Sequence, residues 1–246
     1  MQRRGFLGVA SASAAGAGAR VRHEFPDIPK DFLREPDSIP EFWLSSVEDV
    51  FRFLDSRIRR GKVETIGRTA GGRPMRAVFY RQPRGGAGTT TFSGSLGFRD
   101  VRAYFGPGFS KKVYLGIASV HGGEFEGIVG AVNLLSVLET GRDLRGKEWP
   151  GIAAAAKSLD RIIVLPITNV DGRARVPLRM IRHRGTEDRV HEYFNTGAKA
   201  DGTNLGWPQC KEFIPLDFNK TQFPGGYPND AGVNIQHDDF FGLRQP

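Results

Sequence analysis

Apolar positions along the chain fall into blocks that can each bury one face. Between Phe42 and Arg59, Val47, Val50, Phe51, Leu54 and Ile58 recur at helical spacing and predict an amphipathic helix. Lys62 to Arg68 and Arg73 to Tyr80 read as two strands joined by Thr69-Ala70-Gly71-Gly72, a glycine-containing hairpin. Val113 to Val120 is almost wholly apolar, the pattern of a buried strand. Phe125 to Leu138 follows with Ile128, Val129, Val132, Leu134, Leu135 and Leu138 on a helix-like repeat. A polar stretch around Leu144 to Gly151 separates it from Arg161 to Thr168, a second buried strand built on Ile162, Ile163, Val164 and Leu165. Strand, helix, strand in that order predicts a βαβ unit. The expected fold is therefore α/β, a mixed, mostly parallel central sheet with helices on both faces.

Elsewhere the pattern thins. Residues 20–40 hold Pro26, Pro29, Pro36 and Pro40 and read as an extended lead-in, and residues 83–110 are glycine-rich. Residues 185–231, rich in Gly, Asn, Asp and Pro, are too long for a plain connection and have the composition of loops that build a site.

A chain of 246 residues suits one substantial domain or at most two small ones. Cys210 is the one cysteine, which excludes an intramolecular disulfide framework and any cysteine-rich zinc site. No stretch reaches the apolar length that crosses a bilayer, so no stable membrane span is expected. The net charge is +8. Its basic residues are scattered, apart from Arg57 to Lys62 and Arg173 to Arg184, and no nucleic-acid-binding motif accompanies them. Attraction to an anionic substrate or envelope polymer accounts for the charge, and no nucleic-acid partner is expected.

The first residues change the picture further. Gln2-Arg3-Arg4-Gly5-Phe6-Leu7-Gly8 precedes Val9 to Ala19, a run of only Val, Ala, Ser and Gly. Paired arginines followed by a short, weakly apolar run resemble a bacterial twin-arginine export signal. This predicts a signal peptide over 1–19, the lead-in over 20–40 and a catalytic domain over 41–246. The protein is then exported to the periplasm or beyond by the twin-arginine machinery, already folded. Cleavage after Ala14 and after Ala19 both remain open.

The densest chemistry sits at His121-Gly122-Gly123-Glu124, where the Val113 strand hands over to the Phe125 helix. Open α/β sheets build their sites at that edge. A neutral imidazole and a carboxylate there supply two of the three protein ligands of a catalytic zinc, leaving a position for water. Gly122 and Gly123 are expected to let the backbone turn sharply between them. The plainer alternative is a helix-start pair that only hydrogen-bonds locally.

Several segments together resemble one family, the zinc carboxypeptidases of the M14 type. Ile66-Gly67-Arg68-Thr69-Ala70-Gly71-Gly72-Arg73-Pro74-Met75 is similar to the family's Ile-Gly-x-Ser-x-x-Gly-Arg-Pro segment, and His121 to Glu124 to its zinc-binding His-x-x-Glu. Asn169-Val170-Asp171-Gly172 resembles the Asn-Pro-Asp-Gly turn, with Val for Pro. Arg179-Met180-Ile181-Arg182 resembles Arg-Met-Trp-Arg, and Gly232-Val233-Asn234-Ile235-Gln236-His237-Asp238 stands in the place of Gly-Val-Asp-Leu-Asn-Arg-Asn. These landmarks span roughly residues 60–240 in the family's order. The resemblance implies one Zn2+ per chain held by His121 and Glu124, with Arg182 stabilising the oxyanion. It also puts Asn234 behind the first zinc histidine, and Gln236 and His237 on the substrate.

The last landmark departs from the family. Gln236-His237 replaces an Asn-Arg pair that grips the substrate carboxylate, and His has neither the fixed fork nor the permanent charge of Arg. Asn234 replaces an aspartate; its carbonyl can accept the histidine N–H, but without the charge that raises ligand basicity. The family's third zinc ligand and its general-base glutamate are both expected beyond Pro246. A C-terminally truncated piece of a longer protein, which need not be active alone, is the expectation. The function expected is an exported zinc peptidase acting on a peptide or peptide-like substrate with an atypical carboxylate site. The alternatives are a zinc deacylase of the succinylglutamate desuccinylase or aspartoacylase type and a non-catalytic envelope-binding homologue.

Overall fold

In the computed structural model the described residues are 39–82, 99, 112–176, 190–213, 220–223 and 225–236. The segment expected to be a signal peptide, 1–19, and nearly all of the expected lead-in, 20–40, lie outside them. The chain divides into Met1–Ile39 and Pro40–Pro246, and the architecture below belongs to the second unit.

The first helix, α1 (Val47–Arg57), begins five residues later than its apolar pattern suggests. Ser46 decides the start: its backbone is extended, and its hydroxyl accepts the Asp49 N–H at 3.0 Å. Glu48 and Asp49 in the first turn and Arg57 in the last match the helix dipole. Val50, Phe53 and Leu54 are buried. The hairpin follows as β1 (Lys62–Arg68) and β2 (Pro74–Tyr80), closed by the Thr69 N–H donating to the Arg73 carbonyl at 2.9 Å, the Arg73 N–H donating to the Thr69 hydroxyl at 3.1 Å, and Gly72 at φ 78°.

Next come β3 (Val113–Ile117), α2 (Phe125–Thr140), α3 (Pro150–Lys157) and β4 (Arg161–Leu165). The expected βαβ unit is present, with β3 and β4 parallel from Val113↔Arg161 to Ile117↔Leu165. The sheet order is β1-β2-β4-β3, with β1–β2 and β2–β4 antiparallel, so the mixed α/β architecture holds. Its parallel part, among the described strands, is confined to β3–β4. The helix α3 carries no pattern signal. It is an Ala-rich run entered through Pro150 at its first turn, with none of its residues fully buried, so propensity rather than a periodic stripe forms it.

One core joins these elements. Val78, Tyr80, Ile162 and Val164 project from one sheet face onto Val50, Phe53 and Leu54 of α1 and Ile128, Val132 and Leu135 of α2. Ala156 of α3 packs against the same cluster, so the second helical layer is not among the described elements. The expectation that the Val113 strand is buried is corrected here. Leu115 and Ile117 are 60% and 56% exposed, because β3 ends the described sheet and alternate positions face away from the helices. An apolar run reports what a strand could bury, not which neighbours cover it. Glu139, near the end of α2, ties that helix back to the hairpin. Its carboxylate accepts the N–H groups of Arg59, Arg60 and Gly61 and the Tyr80 hydroxyl, all at 2.8–3.0 Å.

Short elements complete the described chain: α4 (Val170–Arg175), α5 (Val190–Thr196), β5 (Ala198–Lys199), a 3-10 turn (Gln209–Phe213) and β6 (Thr221–Phe223). No described helix is long and apolar enough to cross a membrane. Cys210 is buried as a free thiol, and burial pushes its pKa up to about 11, in line with an inert packing role.

Candidate metal centre

The site forms where β3 and β4 run out together. Ala118 N–H donates to the Leu165 carbonyl at 3.0 Å, and the N–H groups of Thr168 and Asn169 return bonds to Ala118 and Ser119 at 2.9 Å. Ser119 takes a left-handed conformation, φ 53°, and its hydroxyl donates to the His121 carbonyl at 2.9 Å. A buried, non-glycine residue in that region costs on the order of 1 kcal/mol, and such strain gathers beside functional sites.

The two glycines of the motif differ in role, and neither has positive φ, which corrects the expected turn argument. A Cβ on Gly122 would lie 2.2 Å from the backbone carbon of Gly172, whereas one on Gly123 would meet only the Phe194 ring edge at 3.6 Å. Gly122 is there for the close approach of two backbones. Gly122→Ala is expected to destabilise the fold by about 3 kcal/mol and Gly123→Ala by under about 1 kcal/mol, read by urea unfolding. Equal effects at the two positions would contradict this reading.

His121 is 6% exposed and held on both ring nitrogens. Its Nε2 lies 3.1 Å from Asn234 Oδ1, and its Nδ1 lies 2.7 Å from Glu124 Oε1. Asn234 is fully buried, and its Oδ1 also accepts the Gln236 backbone N–H at 3.1 Å. That second donor orients the amide, so the atom facing the ring is an acceptor and Nε2 carries the hydrogen. With its hydrogen on Nε2, the neutral imidazole offers a lone pair at Nδ1, and at 2.7 Å from the carboxylate either a proton or, with the pair drawn apart, a metal ion can be shared between the two atoms. A carbonyl behind a ligating imidazole is the usual device for presenting such a lone pair to a metal. Glu124 is anchored through its other oxygen by the His121 N–H at 3.0 Å, and its side chain is about half exposed, open to a substrate. Tyr227 stacks on the imidazole at 4.1 Å between ring centroids.

His121, Glu124 and Asn234 are thus brought together, and Gln236 is linked to them through its backbone N–H on Asn234. Gln236 is exposed, two residues along the same loop from Asn234. Arg182 and His237 lie outside the described residues. Among the described residues, no group of three or more His, Cys, Asp or Glu side chains is placed to hold a metal. His121 Nδ1 and a Glu124 oxygen, two atoms of metal-ligand type, are the donor pair that the described residues bring together here.

Arg173 and Asn169 support the site from outside the His121–Glu124 motif. Arg173, read in sequence as part of a basic run, is 2% exposed. It donates to the carbonyls of Ser45 (2.7 Å) and Gly122 (2.9 Å) and lies 4.3 Å over the Phe125 ring. Burial, only partly offset by Glu48, pushes its pKa down to about 10. Asn169 accepts the Gly172 N–H at 2.8 Å and donates to the carbonyls of Gly226 and Tyr227, joining α4 to the loop that carries Tyr227. Loop pairings across more than fifty residues leave no periodic trace.

No family model and no curated protein matches the chain. Solved structures do resemble it in part. A metallo-carboxypeptidase from Burkholderia cenocepacia is 21% identical with a TM-score of 0.37, the match covering 72% of this chain and 35% of that one. A putative carboxypeptidase from Burkholderia mallei ATCC 23344 is 22% identical with a TM-score of 0.37, over 72% and 33% of the two chains. Thrombin activatable fibrinolysis inhibitor is 11% identical with a TM-score of 0.33, over 52% and 25%. The chain spans about a third of the length of the two bacterial structures.

Proposed function

We propose that the protein is an exported, zinc-dependent hydrolase of amide bonds in peptides, with a weakened grip on the substrate's terminal carboxylate. The observation that carries the reading is the convergence of His121 Nδ1 and the Glu124 carboxylate, with Nε2 secured on Asn234. His121 and Glu124 would hold the zinc, and a further ligand would come from outside the described residues. Zinc, when bound, supplies a Lewis acid that lowers the pKa of water toward ~7.

The chain's own residues do the rest. Asn234 keeps the imidazole in the tautomer that offers Nδ1, and the Tyr227 ring restricts its rotation. Arg182 would donate to the carbonyl oxygen as it gains charge. A glutamate outside the described residues would take the water's proton and return it to the leaving amine. Gln236 and His237 would face the substrate beyond the cleaved bond. An imidazolium at His237 binds carboxylate only while protonated, so that contribution falls as pH rises through its pKa. Export by the twin-arginine route rests on Arg3 and Arg4 and the run that follows.

The test is hydrolysis of matched peptides with free and amidated C-termini, alongside N-acyl amino acids. We expect zinc-dependent cleavage of peptides, abolished by chelation and restored by zinc. We also expect a preference for the free carboxylate of about tenfold, the low end of the ~1.5–3 kcal/mol that one charge-assisted contact is worth, since His offers less than Arg. Cleavage of acyl amino acids alone would replace peptidase by deacylase. Zinc binding without hydrolysis of either class would leave the envelope-binding reading.

A further inference from the structure

Of the three groups that hold the His121 imidazole, Glu124, Asn234 and Tyr227, the last two lie on one irregular segment, residues 225–236. No strand or helix of that segment fixes it. Its start is held by backbone bonds, the Gly226 and Tyr227 N–H groups donating to Phe194 and Asn195 and the Gly122 N–H to Gly226, all at 2.9 Å, and the stretch around Asp230 is held by a closed set of four charges. The Asp171 side chain is fully buried and accepts four donors: Thr69 Oγ1 (2.6 Å), the Gly71 N–H (3.0 Å), Arg73 (2.8 Å) and the Asp230 N–H (3.1 Å). Arg73 continues to the Asp230 carboxylate at 2.6 Å. Arg175, its side chain 6% exposed, donates to the same carboxylate and to the carbonyls of Gly225 and Pro228. Two arginines and two aspartates balance, so the cluster carries no net charge.

The leverage lies in where Asp230 sits. Asn229 folds the chain onto itself, its side chain accepting the N–H groups of Ala231 and Val233 and its backbone N–H meeting the Val233 carbonyl at 2.8 Å. Asp230 is the second residue of that turn, and Asn234 is the first residue beyond it. Tyr227 is held by Asn169 and by its backbone bond to Asn195, whereas Asn234 follows directly on the turn that Arg175 and Arg73 anchor through Asp230. A Cβ on Gly71 would strike Asp230, Arg73 and Asp171 together, at 2.2, 2.3 and 2.7 Å, so the hairpin turn is shaped around this cluster.

We infer that Asp230 and Arg175 are positioning residues. They touch neither metal nor substrate, yet they set the tautomer of His121 and hence the zinc affinity of the site. This rests on the metal-dependent reading above, and the test separates the two. The histidine-labelled 246-residue chain is examined metal-free by NMR for the His121 tautomer and then titrated with zinc, as wild type, Asp230→Asn, Arg175→Lys and Glu139→Gln. In wild type the hydrogen is expected on Nε2. Asp230→Asn removes the charge shared by both arginines, and Arg175→Lys keeps charge but loses the planar fork. Each is expected to give a mixed tautomer and to weaken zinc binding about tenfold or more, the usual effect of losing support behind a ligand. Glu139→Gln, remote from the site, is expected to lower stability and leave both readouts unchanged.

A His121 spectrum and a zinc affinity within twofold of wild type in Arg175→Lys and in folded Asp230→Asn would overturn the inference. Should Asp230→Asn not fold, Arg175→Lys decides alone. Wild type that binds no zinc would refute the hydrolase proposal, and the tautomer comparison would still decide this one.

Discussion

Replacing His121 with alanine is expected to weaken zinc binding by about a hundredfold and to remove zinc-dependent hydrolysis altogether. Structural zinc binding is worth roughly 10–16 kcal/mol over four ligands, so one ligand carries ~3 kcal/mol, about two decades of affinity. Glu124→Ala should match it, because the two donors share one point, 2.7 Å apart, and neither has a described understudy. The structural consequences should differ. His121→Ala removes the ring N–H from the buried Asn234 carbonyl and opens a void against Tyr227, costing stability as well. Glu124 is half exposed, and its loss should leave stability nearly unchanged. Competition titration with a zinc indicator, paired with urea unfolding, checks both halves. Wild-type affinity in either variant would show that zinc binds elsewhere.

The second large effect is on the fold. All four partners of Asp171 are donors: one hydroxyl, two backbone N–H groups and a guanidinium. An ionised carboxylate is an acceptor at every lone pair, so it alone suits the place. Asp171→Ala is expected to cost about 3 kcal/mol, with two backbone donors stranded and Arg73 left to Asp230. Asp171→Asn keeps the shape but turns an NH2 group toward donors, and should cost nearly as much. Burial alone would raise the Asp171 pKa, but the Thr69, Asp230, Arg73 and Gly71 hydrogen bonds outweigh it and hold it below the ordinary carboxylate value. A depressed folded-state pKa contributes stability above the unfolded value, near 4, which is lost as pH falls through the folded value. The gap between wild type and Asp171→Asn should therefore be wide at neutral pH and narrow below about pH 4. A gap constant across that range would mean the charge of Asp171 does not matter.

Legibility in the sequence followed the range of each interaction. The β1–β2 hairpin, α2 and the β3–α2 handover were readable because their patterns are local and periodic: alternation, helical spacing and a glycine turn. Helix α3 was not, since alanine forms helix without an apolar stripe. The burial of β3 was misread for a different reason. Its Leu115 and Ile117 are as apolar as a core strand requires, but nothing local says whether a second layer covers them. In the site, His121 and Glu124 stood out because a single turn holds both. Asn234 became a candidate only through the family resemblance, being 113 residues away. Tyr227, Asp230, Arg173 and Arg175 escaped entirely. An arginine in a basic run has the same appearance whether solvated or sealed against carbonyls. Contacts spanning some fifty to a hundred and fifty residues write nothing periodic into the chain.

The most direct measurement is the position of zinc itself. Crystals of the protein grown with zinc, with anomalous data collected at the zinc edge, locate the ion without recourse to activity. The account predicts one peak at about 2.0–2.2 Å from His121 Nδ1 and from a Glu124 oxygen, with Nε2 still on Asn234. A peak bound elsewhere, or none while Nδ1 and the Glu124 carboxylate stay in direct contact, would contradict it.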